Sequence, residues 1–139
     1  MYEPIRTKSV HSTMADASSD FPHRSREEEL DIQLAGHLAA LLAVTDELRE
    51  LTPSADLDDA AERLAEQVSR LRGGRAPLRA TPSAGADPAA LHRRAHTLAG
   101  RALVVAASRA DTAAAILTAE RMDAHSSAPA DPKELSASH

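Results

Sequence analysis

Apolar side chains recur at alternating four- and three-residue steps through Leu30, Leu34, Leu41, Val44, Leu48 and Leu51, and His37 is the one polar member of the series. That spacing keeps a single stripe on one side of a 3.6-residue helix, so it predicts an α-helix with a coiled-coil-like seam. Ser25 and Glu28 have the spacing of a capping box, and Glu27, Glu28 and Glu29 place negative charge where a helix N-terminus favours it. Pro53 stops the run, because the residue before a proline avoids helical dihedrals. The first helix is therefore expected over 26–51, about 40 Å long.

Leu57, Ala61, Leu64, Val68 and Leu71 repeat the spacing behind a cap at Ser54 or Asp56, and Gly73-Gly74 ends the run. A second helix over 55–72 follows, and so short a connection makes the pair an antiparallel hairpin. Pro77, Pro82 and Gly85 mark 73–87 as an irregular linker. Asp87-Pro88 then opens a third helix with an N-cap and a first-turn proline. Apolar residues continue to about Ala124, predicting one helix over 88–124, roughly 55 Å long.

The pattern as a whole predicts an all-α fold: an antiparallel three-helix bundle, a helical hairpin plus one long helix, over 25–124. Polar, aperiodic stretches at 1–24 and 125–139 lack the apolar surface to offset ordering entropy and are expected to be disordered tails. Met14 opens a run that itself resembles a start, so residues 1–13 are expected to reflect an upstream choice of start codon.

The third segment is apolar over too much of its circumference for one seam. Leu91, Leu98, Ala102, Val105, Ile116 and Ala119 mark one face, and Leu103, Ala106, Ala110, Ala113 and Leu117 mark a neighbouring one. Three helices offer little material to cover both, so self-association or a protein partner is expected, through Leu98, Leu103, Val104, Val105, Ile116 and Leu117.

Composition narrows the chemistry. Apolar residues make up 42% of the chain, yet alanine dominates them and the only aromatics are Tyr2 and Phe21, so the core must be aliphatic and thin. The chain has no cysteine, which removes disulfides, thiolate metal sites and cysteine nucleophiles. No apolar stretch approaches the roughly 18 residues of a membrane span, so no membrane association and a cytoplasmic location are expected. Arginine far outnumbers lysine, which occurs only at Lys8 and Lys133, and with the alanine excess this suggests a high-GC bacterial gene.

Charge is segregated along the chain. Between Glu27 and Glu66 twelve acids face only Arg49 and Arg63, a net of −10, whereas between Gln67 and Ala110 eight arginines face only Asp87, a net of +7. Acidic and basic helices attracting one another is one reading. The alternative is a nucleic-acid or phosphate-binding surface built from Arg70, Arg72, Arg75, Arg79, Arg93 and Arg94. That segment has no aromatics for base stacking and no recognisable DNA-binding module, which favours the first reading.

His92 and His96 lie one turn apart, and His37 could join them, but Arg93 and Arg94 stand between the first two and repel a cation. Solvated surface histidines are the simpler expectation. His37 itself is expected either to pack its ring at the edge of the seam or to act as a buried, register-setting polar group. Gly73-Gly74-Arg75 lacks the strand and the Lys-Ser/Thr ending of a phosphate loop. No serine has a histidine and carboxylate arranged around it, so no catalytic residue, cofactor or metal ligand is assigned. No motif carries a resemblance to a family. The expected role is non-catalytic: a small helical interaction or oligomerisation protein.

Overall fold

Ser25 begins the first helix by the predicted device. Its hydroxyl accepts from the Glu28 amide at 3.1 Å while the Glu28 carboxylate accepts from the Ser25 amide at 2.9 Å. In this computed structural model, which describes residues 25–79 and 85–128, four helices follow: α1 Arg26–Leu51, α2 Ala55–Leu71, α3 Pro88–Arg109 and α4 Thr112–Ser127. The fold is all-α, with helices packed on one another around a shared aliphatic core and no strand among the described residues. The expected tail at 1–24 lies outside the described residues.

Ser54, rather than Asp56, caps α2, accepting from the Leu57 amide at 3.1 Å. At its far end Gly73 adopts φ +71° and the Gly74 amide donates to the Ser69 carbonyl at 2.7 Å, a Schellman closure that only a residue tolerant of the left-handed region makes without strain. Asp87 and Pro88 open α3 as predicted.

The third predicted helix is two helices. At Ala110 the backbone turns left-handed (φ 60°, ψ 37°), its amide donates to the Ala107 carbonyl, and the Asp111 amide donates to the Ala106 carbonyl at 2.8 Å. This is the same Schellman geometry, completed on alanine. Asp111 then caps α4 by accepting from the Ala114 amide at 3.2 Å. One residue thus closes α3 and the next starts α4, so the expected rod over 88–124 becomes a tight hairpin. α4 also runs to Ser127, past the expected boundary at 124, because His125 is held in the interior.

Helix α1 packs on α2 and α3, α3 packs on α4, and α2 touches α4 more sparsely. Ion pairs fix the directions. Asp31 near the start of α1 meets Arg109 at the end of α3, and Arg70 at the end of α2 meets Asp111 before α4, all four lining one cleft at one end of the bundle. Every packed pair is therefore antiparallel, and the connection after α2 returns the chain to the opposite end before α3 begins. On that return Arg79 grips Asp46 through two hydrogen bonds of 2.8 Å.

The core is filled mainly by Leu34, Leu38, Leu41, Leu42 and Leu48 of α1, Leu64 and Val68 of α2, and the alanines Ala95, Ala99, Ala102 and Ala106 of α3. Leucines come mainly from one side and alanines from the other, which lets the α1 and α3 backbones approach while volume is conserved. Two buried threonines, Thr45 and Thr118, satisfy their hydroxyls on carbonyls one turn back, Leu41 and Ala114, each at 2.8 Å. His37 is half-buried at the edge of the seam.

Candidate functional site

Six residues on the third segment are expected from sequence to face a partner, and the structure divides them. Leu98, Val105 and Leu117 are buried in the core, because the hairpin at Ala110 turns the apolar faces of α3 and α4 inward against each other and against α1. They are corrected to core residues. Leu103 is half-buried, whereas Val104 is 66% exposed and Ile116 is 52% exposed. Beside Ile116, between α3 and α4, runs an apolar trough of about 330 Å³ lined by Ala106, Ala107, Ala110, Ala115 and Ala119. Small side chains on both walls leave the helix backbones open to close approach by another apolar surface.

The six arginines of the alternative reading do not form one stripe. Arg70 is paired with Asp111 at 2.8 Å and Arg79 with Asp46, while the Arg75 guanidinium donates to the Arg72 carbonyl at 3.2 Å. Arg93 and Arg94 are exposed and line different clefts: Arg93 one between α3 and α4, Arg94 one between α1 and α3 that also holds Glu47. Two ion pairs join the basic segment to the acidic one, Arg79–Asp46 and Arg109–Asp31, whereas Arg49–Asp58 lies within the acidic segment and Arg63–Glu120, Arg70–Asp111 and Arg121–Asp56 each use a residue beyond both. Burial alone would raise the Asp46 carboxyl, but hydrogen bonds from Arg79 and Arg49 outweigh it and hold the group below its ordinary range.

The end of the bundle opposite the Asp31–Asp111 cleft carries a polar chain that sequence reading misses. His125 of α4 is 4% exposed and Arg121, one turn before it, is 5% exposed. Arg121 donates through Nη1 to both oxygens of Asp56 at 3.1 and 3.2 Å, and its Nη2 lies 3.5 Å from His125 Nε2. His125 Nδ1 is 2.9 Å from His92 Nδ1 on α3. Arginine only donates, so the His125 nitrogen facing it is the unprotonated one. His125 then carries its proton on Nδ1 and donates to His92 Nδ1, and the neutral His92 keeps its own proton on Nε2.

Burial, then the Arg121 charge, then His92 push His125 down to about 4, and burial with Arg121 lowers His92 as well. Both rings are accordingly neutral at pH 7. His92, His96 and His125 line a cavity of about 450 Å³ together with Arg93, Thr97 and Ser126. The expectation of solvated surface histidines on α3 is thereby corrected: His92 and His96 are half-buried, and His92 is bonded across the hairpin.

Among the described residues no group of three or more histidines and carboxylates is placed to hold a metal ion, and no helix is long and apolar enough to cross a membrane. No family model, curated protein or solved structure matches the chain.

Proposed function

We propose that this is a non-catalytic interaction protein of the cytoplasm that associates with a second copy of itself through the outer face of the α3–α4 hairpin. The observation that carries this reading is Ile116, half-exposed at the lip of an alanine-lined trough on its own face. Such a face is self-complementary: a two-fold axis through it seats each Ile116 in the trough of the other copy, with Val104 adding apolar contact. Burying these side chains offsets an exposure that a thin core does not otherwise use. The engagement of Arg70 and Arg79 in ion pairs removes two of the six charges from the nucleic-acid alternative, which favours the interaction reading.

The chain has no cysteine, so one introduced thiol is an unambiguous reporter. Ile116→Cys is expected to be cross-linked between chains by a flexible bismaleimide at micromolar concentration, and Glu62→Cys, exposed on α2, is expected to stay monomeric. Equal cross-linking at both positions, or none at position 116, contradicts the proposed face.

A further inference from the structure

We propose that the cavity between the start of α3 and the end of α4 is a binding site for an oxyanion, the phosphate or carboxylate group of a small molecule. Three observations carry the proposal. The lining is made of hydrogen-bond donors and small residues: His92, Arg93, His96, Thr97, His125 and Ser126, with no carboxylate among them. Two of its hydroxyls are already turned to their own helices, Thr97 donating to the Arg93 carbonyl and Ser126 to the Asp123 carbonyl, and both His125 nitrogens are engaged, so the His92 and His96 imidazoles and the Arg93 guanidinium are the groups left to meet a ligand. The volume of about 450 Å³ is that of a small-molecule pocket.

The buried chain behind the cavity sets the polarity of the wall. Asp56 holds Arg121, Arg121 faces the His125 lone pair, and His125 Nδ1–H donates to His92 Nδ1. His92 is left with Nε2–H as its free polar group, a donor that suits an acceptor ligand. The same order opposes a metal ion. Coordination by the two Nδ1 atoms would require the His125 proton to move to Nε2, against the Arg121 guanidinium. Arg93 supplies fixed positive charge at the mouth, beside the His92 and His96 rings. The groups facing those rings are His92, Arg93 and His96 from α3, Arg121 and His125 from α4, and Asp56 from α2, and of these only Asp56 is negative.

The test is titration of the full chain with inorganic phosphate and, separately, with acetate, following the histidine ring resonances by NMR at pH 6 and pH 8. Saturable shifts of the His92, His96 and His125 rings are expected at both pH values, because the Arg93 charge is fixed across this range. The anion that saturates at lower concentration tells phosphate from carboxylate recognition. Arg93→Ala is expected to weaken binding about tenfold, and Arg101→Ala, exposed on the same helix and outside the cavity, to leave it unchanged. Linear, unsaturating shifts, equal weakening by both variants, or stoichiometric capture of zinc by the same rings would overturn the proposal.

Discussion

Ala110 holds a left-handed backbone conformation that costs an L-residue about 1–2 kcal/mol, and nothing in its methyl group repays it. Gly73 meets the same Schellman requirement at the end of α2 without that cost. Ala110→Gly should therefore raise stability by about 0.5–1 kcal/mol in urea denaturation, part of the relief being returned through the freer unfolded chain. A loss of stability would show that the hairpin does not turn there.

His125 makes a second residue-scale prediction. Its folded value lies near 4, below the ordinary 6.5, so between those values the unfolded chain takes up the proton and the folded one does not. The stabilisation is complete above pH 6.5 and is lost as the pH falls toward 4, amounting to about 3 kcal/mol with His125 alone. Denaturation midpoints at pH 7, 5.5 and 4 should decline steadily across this window, which lies above the range where the Asp46 carboxylate titrates. Midpoints that stay level from pH 7 to 4.5 would mean that the ring is not buried neutral.

At the scale of elements, the contrast between the two sides of α2 is the informative one. Its α1 side is closed by leucines, whereas its α4 side is a ladder of ion pairs, Asp56–Arg121, Arg63–Glu120 and Arg70–Asp111, running antiparallel. The rungs are not equivalent. Arg63 and Glu120 are exposed, so Arg63→Ala should change stability by less than about 1 kcal/mol. Arg121 is buried and its Nε has no hydrogen-bond partner, so removing Asp56 strands a charge in the interior. Asp56→Ala should cost about 1–3 kcal/mol, whereas Arg121→Met, which keeps the stem and removes the charge, should be neutral within about 1 kcal/mol or stabilising. Equal losses in all three variants would contradict this ranking.

The same elements show what was legible beforehand. Ser25, Pro53, Ser54, Gly73 and Asp87-Pro88 announce their ends because capping is local chemistry carried by residue types that do little else. Ala110 announces nothing, since alanine is the best helix former and its left-handed turn is imposed by the packing of α4 back on α3. The one available signal was Asp111, the only acid between Pro88 and Ala119 and a competent N-cap.

For the whole molecule, that single break changes which surface is exposed. A continuous third helix would present Leu98, Val105 and Leu117 to a partner. Folded at Ala110, it buries them and leaves Val104, Ile116 and the alanine trough outside. It also brings His92 and His125, 33 residues apart, to 2.9 Å, a contact that no periodicity could forecast because it exists only once the hairpin forms. Charge segregation was readable only in part, since Arg79–Asp46 and Arg109–Asp31 join the basic segment to the acidic one, whereas Arg70 and Asp56 find their partners in Asp111 and Arg121 at the cap and within α4. What the outer face does is a property of the assembled bundle and is tested there. Sedimentation equilibrium over a hundredfold range of concentration is expected to show a mass rising from 14.7 kDa toward twice that value, with Ile116→Asp remaining at the monomer mass and keeping the helical content of the parent. A parent chain that stays at 14.7 kDa throughout contradicts the proposal, as does an Ile116→Asp variant that associates just as well.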